Sequence, residues 1–109
     1  MNEVQSQNLF NIENVCIGIA GLGGLGSNIA MMLARSGIRH FVLADFDIVD
    51  ESNLNRQHYF PEHLGRKKTE CISEQMLRLN PDLDLTVHDI LLTKDNMSSI
   101  FKHCRIVCE

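Results

Sequence analysis

No apolar stretch in this 109-residue chain approaches the roughly 18 residues that a membrane span needs. The opening Met1-Asn2-Glu3 also lacks the positive charge and apolar core of a secretory signal, so a cytoplasmic location is expected. Basic residues are in deficit: ten Lys and Arg stand against 14 Asp and Glu, for a net charge of −4. That leaves no global field for nucleic acid, and Arg66, Lys67 and Lys68 form the only basic cluster. The four cysteines, Cys16, Cys71, Cys104 and Cys108, contain no C-x-x-C pair, so reduced thiols are expected rather than a zinc site built from this chain. No internal repeat or low-complexity segment is present. The length allows a single core.

The most informative stretch runs from Val15 to Asn28. Val15 to Ala20 is apolar and uncharged, as a strand buried on both faces of a sheet would be. It breaks into Gly21, Gly23 and Gly26, at the G-x-G-x-x-G spacing. In such a turn Gly21 permits the exit from the strand, Gly23 lets the backbone approach a phosphate and Gly26 lets the next helix pack close to the sheet. The N–H groups that open the helix then face an anion. Many nucleotide-binding folds share this motif, so alone it does not define an activity.

The rest of the chain adds elements in alternation. A first helix is expected over 24–36, with Leu22, Leu25, Ile29 and Leu33 as its apolar stripe, Met31 and Met32 as packing residues and Gly37 as C-terminal cap. A second strand, 41–44, ends in Asp45-Phe46-Asp47. Asp45 stands about 20 positions beyond the glycines, where an acid hydrogen-bonds a nucleotide ribose. A polar segment, 47–61, puts the donors Asn53, Asn55, Arg56 and Gln57 near the carboxyl ends of the strands. A second helix is expected over 65–79, with Ile72, Met76 and Leu79 on one face and Arg66, Lys67 and Lys68 in the first turn. Cations are unfavourable at that end, which hints at an anion there. Asn80-Pro81 ends it. An alternating third strand over 83–88, a third helix over 93–103 capped by Thr93, and a fourth strand from Arg105 complete the pattern. The predicted fold is α/β: a mostly parallel Rossmann-like sheet with helices on both faces, reaching about the fourth strand. Residues 1–14 form an N-terminal arm and 15–109 the nucleotide-binding domain.

Taken together, Gly21 to Ser27, Leu43 to Asp47, Ser52-Asn53-Leu54-Asn55-Arg56-Gln57, Gly65 to Lys68 and Asn80-Pro81 resemble the ThiF/MoeB/HesA family, bacterial relatives of ubiquitin-activating enzymes. The resemblance implies an adenylyltransferase that uses ATP and Mg²⁺ to adenylate the C-terminal glycine of a small ubiquitin-like sulfur carrier, of the thiamine or molybdopterin type. It also implies a homodimer. By this resemblance Gly23 and Gly24 line the phosphates, within a site that includes Gly21 and Gly26. Asp45 holds the ribose, and Asn53 and Arg56 reach the polyphosphate. Gln57 supports the loop, and Lys68 neutralises charge as pyrophosphate leaves. Arg56 and Lys68 are thus the candidate catalytic residues.

Two features depart from the family pattern. Its N-terminal-arm arginine has no counterpart, since the first arginine here is Arg35. The family's metal- and nucleotide-binding aspartate is expected shortly after Glu109, so the chain reads as the N-terminal half of an adenylating domain. Two other readings share parts of the pattern: an NAD-dependent oxidoreductase domain, and a non-catalytic subunit of a heterodimeric activating enzyme. The 109-residue chain alone is expected to bind ATP weakly and to adenylate nothing. Carrier-dependent ATP–pyrophosphate exchange by this chain would overturn that expectation.

Overall fold

The computed structural model describes residues 14–109, so the expected arm lies outside the described residues except for Asn14. The chain alternates as the sequence predicts, through strand β1 (Cys16–Ala20), helix α1 (Gly24–Arg35), β2 (His40–Asp45), α2 (Lys68–Leu79), β3 (Asp84–Asp89), α3 (Lys94–Ile100) and β4 (Ile106–Cys108). Two 3-10 turns, Glu51–Asn53 and Pro61–His63, lie in the long connection between β2 and α2. The strands pair in the order β3-β2-β1-β4, all parallel, with Ile17 opposite Phe41 and Ile19 opposite Leu43 and Cys108. The chain reverses direction across the sheet at β1, so the crevice beyond the carboxyl ends of β1 and β4 is the switch point where such sheets take ligands.

Alternation along β1 and β2 divides the core. Ile17, Ile19, Phe41 and Leu43 join Ala30 and Met31 of α1 and Cys71, Ile72 and Met76 of α2 in one buried layer. Val42 and Ala44 face the other way, onto Phe101, with Cys16, Ala20, Met97, Ile100 and Cys104 packed against them. Gly18 is needed on this second face: a Cβ there would lie 2.5 Å from the Phe101 ring. α3 starts as expected, with Asn96 N–H donating to Thr93 Oγ1.

The structure corrects three details. Of the stripe Leu22, Leu25, Ile29 and Leu33, Leu22 is fully buried but precedes α1, and the helix itself buries Ser27, Ala30, Met31 and Ala34, while Leu25 and Met32 are largely exposed. The helix lies so close to the sheet that small side chains fill the interface, and Ile29 and Leu33 pack at its margin. The second helix begins at Lys68 rather than Gly65. Residues 65–68 are already paired with the exit from β2, through Gly65 N–H to Val49 O, Val49 N–H to Arg66 O and Lys68 N–H to Asp47 O. Gly65, at φ 81, makes that turn. Finally, Leu79 is exposed rather than packed with Ile72 and Met76, because it lies at the very end of α2.

Ile72 is fully buried between α2 and the sheet. Replacing it with alanine is expected to lower stability by about 2–5 kcal/mol. The drop would appear as a lower urea midpoint with little change in the slope of the transition.

Candidate nucleotide site

The site is built around the turn that follows β1. Gly21 has φ 94, a conformation that side chains resist, and its N–H still donates to Ala44 O at 2.8 Å. The next residue, Leu22, is fully buried. Its N–H donates to Asp45 Oδ2 at 2.6 Å, and its carbonyl accepts from the Tyr59 hydroxyl at 2.7 Å. Asp45 Oδ1 accepts from Asp47 N–H at 2.7 Å. Asp45, expected at the ribose, is therefore first a clamp between β2 and the glycine turn.

The four glycines separate into two kinds. A Cβ on Gly26 would sit 1.9 Å from the Gly21 carbonyl oxygen, so the fold itself requires glycine there, as it does at Gly21. A Cβ on Gly24 would meet nothing within 4 Å, and one on Gly23 would meet only Gln57 Nε2, at 4.0 Å. Packing does not demand glycine at these two positions, and they are the ones expected to lie against phosphates. α1 also starts without a side-chain cap or an acid in its first turn, so its leading N–H groups are left to an external acceptor. Beside them, the Gln57 Nε2 donor stands 4.0 Å from where a Cβ on Gly23 would be, while Gln57 Oε1, a buried acceptor without a partner among the described residues, awaits a donor and not a phosphate. These features fit a phosphate-bearing ligand over the turn.

The loop from Asp50 to Tyr59 organises itself. Asp50 Oδ1 accepts from the N–H and hydroxyl of Ser52, which hold its carboxyl below the usual range, with the Lys68 charge adding to the effect. Asn53 is buried; its Oδ1 accepts from Asp50 N–H at 2.9 Å and its carbonyl from Gln57 N–H at 3.0 Å. Its side-chain oxygen thus serves the loop, leaving Nδ2 to offer to a ligand. Ser27, fully buried in α1, accepts from His58 N–H at 3.0 Å, and Asn28 Nδ2 donates to the Arg56 carbonyl at 3.1 Å. Gln75 of α2 closes the frame, with Nε2 donating to His58 O at 2.6 Å and Oε1 2.6 Å from His58 Nδ1.

Lys68 is the first residue of α2 and is only 6% exposed. Its Nζ lies 4.0 Å from Asp47 Oδ2, a loose pairing for a buried ammonium at the helix end that repels cations. The neighbouring cations have other partners. Arg66 binds Glu70 and Glu74, holding the Glu74 carboxyl below its usual range, and Lys67 meets Asp89 at 2.6 Å. Both are surface pairs, and neither joins Lys68 at the site.

Gly21, Asp45 and Asp47 line a crevice of about 180 Å³ with Phe46, Ile90, Leu91 and Leu92, at the carboxyl ends of the strands. Asp47 links this crevice to Lys68, and Gln57 reaches Gly23 from the loop. Arg56 is exposed and lines a separate hollow of about 460 Å³ beside Asn28 and Gln57. The turn, Asp45 and Asp47 thus share one crevice, Lys68 adjoins it through Asp47, and Gln57 stands between the turn and the separate hollow that Arg56 lines. Among the described residues no group of three His, Cys, Asp or Glu side chains could hold a metal ion. Sequence reasoning missed Tyr59, Ser27, His58 and Gln75 as the pins of the loop. The one available signal was that Tyr59 is the only tyrosine of the chain and directly follows the donor-rich segment. Burial, with the Asp45 charge adding, pushes the Tyr59 hydroxyl up, so it stays protonated and donating.

A doubly wound parallel sheet with a glycine turn, a strand-end acid and a buried lysine near the carboxyl ends of its strands defines a nucleotide-binding α/β domain. More particularly, the chain belongs to the ThiF family, whose model matches residues 1–109. It is 39% identical to ubiquitin-like modifier-activating enzyme 5 of Dictyostelium discoideum over 87% of this chain and 25% of that protein. It is 38% identical to tRNA threonylcarbamoyladenosine dehydratase of Escherichia coli over 83% of this chain and 33% of that protein. The chain therefore spans about a quarter to a third of the length of these curated relatives. Among solved structures, the E. coli dehydratase in complex with ATP superposes with a TM-score of 0.80 at 31% identity, covering 93% of this chain and 47% of that one. E. coli MccB with AMPCPP and its MccA partner gives 0.77 at 27% identity, covering 82% and 26%.

The two kinds of glycine predict opposite outcomes. Gly26→Ala is expected to destabilise the fold by several kcal/mol, on the order of other severe overpacking changes, visible as a lowered Tm. Gly24→Ala is expected to leave Tm unchanged or slightly raised, since alanine favours a helix by roughly 0.5–1 kcal/mol, while weakening nucleotide binding in a titration.

Proposed function

We propose that this chain is the nucleotide-binding part of an ATP-dependent adenylating enzyme that activates the C-terminal glycine carboxylate of a small ubiquitin-like protein. The observation that carries the reading is the pair of uncapped helix starts, one with two glycines that packing does not require and the other with a buried, loosely paired lysine. An oxidoreductase domain needs the first of these but not the second. The ATP complex of a superposable relative, and the ubiquitin-like modifier-activating enzymes among the curated relatives, support ATP and a ubiquitin-like acceptor. A sulfur carrier remains our choice within that class.

The chemistry asks little of a base, because the attacking carboxylate is already ionised. It asks for alignment and for positive potential where charge collects. In this reading the N–H groups of the α1 start and Gln57 Nε2 hold phosphate oxygens, and Asp45 accepts from the ribose with the lone pairs left by its two backbone bonds. Asn53 Nδ2 and Arg56 approach the polyphosphate from the loop. Arg56 would swing in from its outer position, where its guanidinium stands in solvent. Lys68 meets charge building on the departing pyrophosphate, which its loose contact with Asp47 leaves it free to do. Mg²⁺, when bound, would screen the triphosphate, and Asp47, exposed at the crevice, could offer it an oxygen. Pairing of two copies of the chain belongs to the same proposal.

Lys68→Met tests the reading. It keeps most of the volume, so stability is expected to hold or rise. ATP affinity, or adenylate formation in the protein that carries this chain, is expected to fall on the order of 100-fold. Titration with NAD in place of ATP is expected to show no binding. Equal ATP affinity in Lys68→Met and the parent chain, or binding of NAD but not ATP, would overturn the assignment.

A further inference from the structure

Away from the nucleotide site, two thiols approach each other. Cys16 opens β1, Cys104 precedes β4, and their sulfurs lie 3.6 Å apart although 88 positions separate them in the chain. Both belong to the face packed against α3, both are half-buried, and neither is in a disulfide. The surroundings fix them. Arg105 N–H donates to Cys16 O at 2.9 Å, the Cys104 N–H bonds Phe101 O at 2.9 Å, and Cys104 Sγ would stand 3.2 Å from a Cβ on Gly18. A disulfide bond is about 2.05 Å long, so roughly 1.5 Å of closure is needed, within reach of side-chain rotation. The other two thiols have no such neighbour in the described structure: Cys71 is fully buried in α2, and Cys108 packs on the opposite face of the sheet.

We infer that Cys16 and Cys104 form a reversible dithiol site, which a two-electron oxidant of the peroxide class converts to an intrachain disulfide joining β1 to β4. In the first step one of the two thiols attacks peroxide through its sulfur and gives its proton to the departing hydroxide, so that a sulfenic acid forms and water leaves. In the second, the other sulfur displaces the hydroxyl from the oxidised sulfur, and its proton leaves with that hydroxyl as a second water. Two thiols are thereby oxidised by two electrons and one peroxide is reduced to two waters. Burial, with the Cys16 sulfur adding, pushes the Cys104 thiol up, which keeps it protonated until an oxidant arrives. An excess of dithiol reverses the bond. β1 is five residues long, which puts the site about 16 Å from the glycine turn. The crosslink therefore fastens the strands on either side of the switch point without entering the nucleotide crevice.

The test is oxidation of the folded chain with stoichiometric hydrogen peroxide, followed by thiol counting under denaturing conditions and peptide mass mapping without reductant. The expected result is loss of two of the four thiols and a single crosslinked peptide pair containing Cys16 and Cys104. A rise in Tm of about 10 °C is also expected, as for closure of a long loop. Cys71→Ser and Cys108→Ser retain the crosslink, and Cys16→Ser loses it. Four free thiols after treatment, a crosslink between other cysteines, or bonds only between chains would overturn the inference. Because the primary readout is made on the unaltered chain, a variant that fails to fold does not decide it.

Discussion

Leu22 is gripped on three sides, and the rest of the site follows from that grip. Its amide is held by Asp45, its carbonyl by Tyr59 and its side chain by the core. The peptide is thus pinned between the end of β2 and the loop after it. This sets the direction of the glycine turn and hence the axis on which α1 starts. A buried backbone group left unpaired here would cost about 1–3 kcal/mol. Asp45 and Tyr59 therefore matter structurally whatever else Asp45 holds. The same grip ties the donor-rich loop to the turn, so the two parts of the site cannot drift apart without breaking buried hydrogen bonds.

Much of this was legible in the sequence because the signals are local. An uncharged apolar run followed by glycines at fixed spacing encodes a strand, a turn and a helix in that order. Thr93 and Asn80-Pro81 mark helix ends by their own backbone chemistry. The strand order β3-β2-β1-β4 is the one that a doubly wound sheet with its glycine turn after the first strand adopts. What could not be read depended on contacts between distant residues. Whether α1 buries Leu25 or Ala30 is decided by how closely Gly26 lets the helix approach. Whether Arg66 and Lys67 belong to a helix is decided by Val49, which pairs with that stretch instead. The loop pins Ser27, His58 and Gln75 become evident only when α1 and α2 stand side by side. The exposure of Arg56 beside a separate hollow is of the same kind, because a loop residue's direction is set by its anchors.

The basic cluster shows how one composition can conceal three environments. Arg66, Lys67 and Lys68 are consecutive, yet the first pairs with Glu70 and Glu74 of the helix that follows it and the second bridges to the end of β3. The third is withdrawn from solvent. Antiparallel pairing of Ile48 with Lys67 holds that register, so the alternation familiar from strands carries over into the helix start. A single burial event, rather than the charge of the cluster, distinguishes Lys68 as the residue with potential to give to an anion.

The outermost strand, β3, carries its own defence. It begins and ends with aspartate, Asp84 against His40 at 3.0 Å and Asp89 against Lys67, and its middle is largely open to water. A strand docking along that edge would have to strip water from charges already in place, which is how natural sheets discourage unwanted neighbours. The opposite margin, at β4, has no charge within Ile106–Cys108. Growth of the sheet is therefore biased to one side, and a companion element that extends it is steered toward the strand that flanks the switch point.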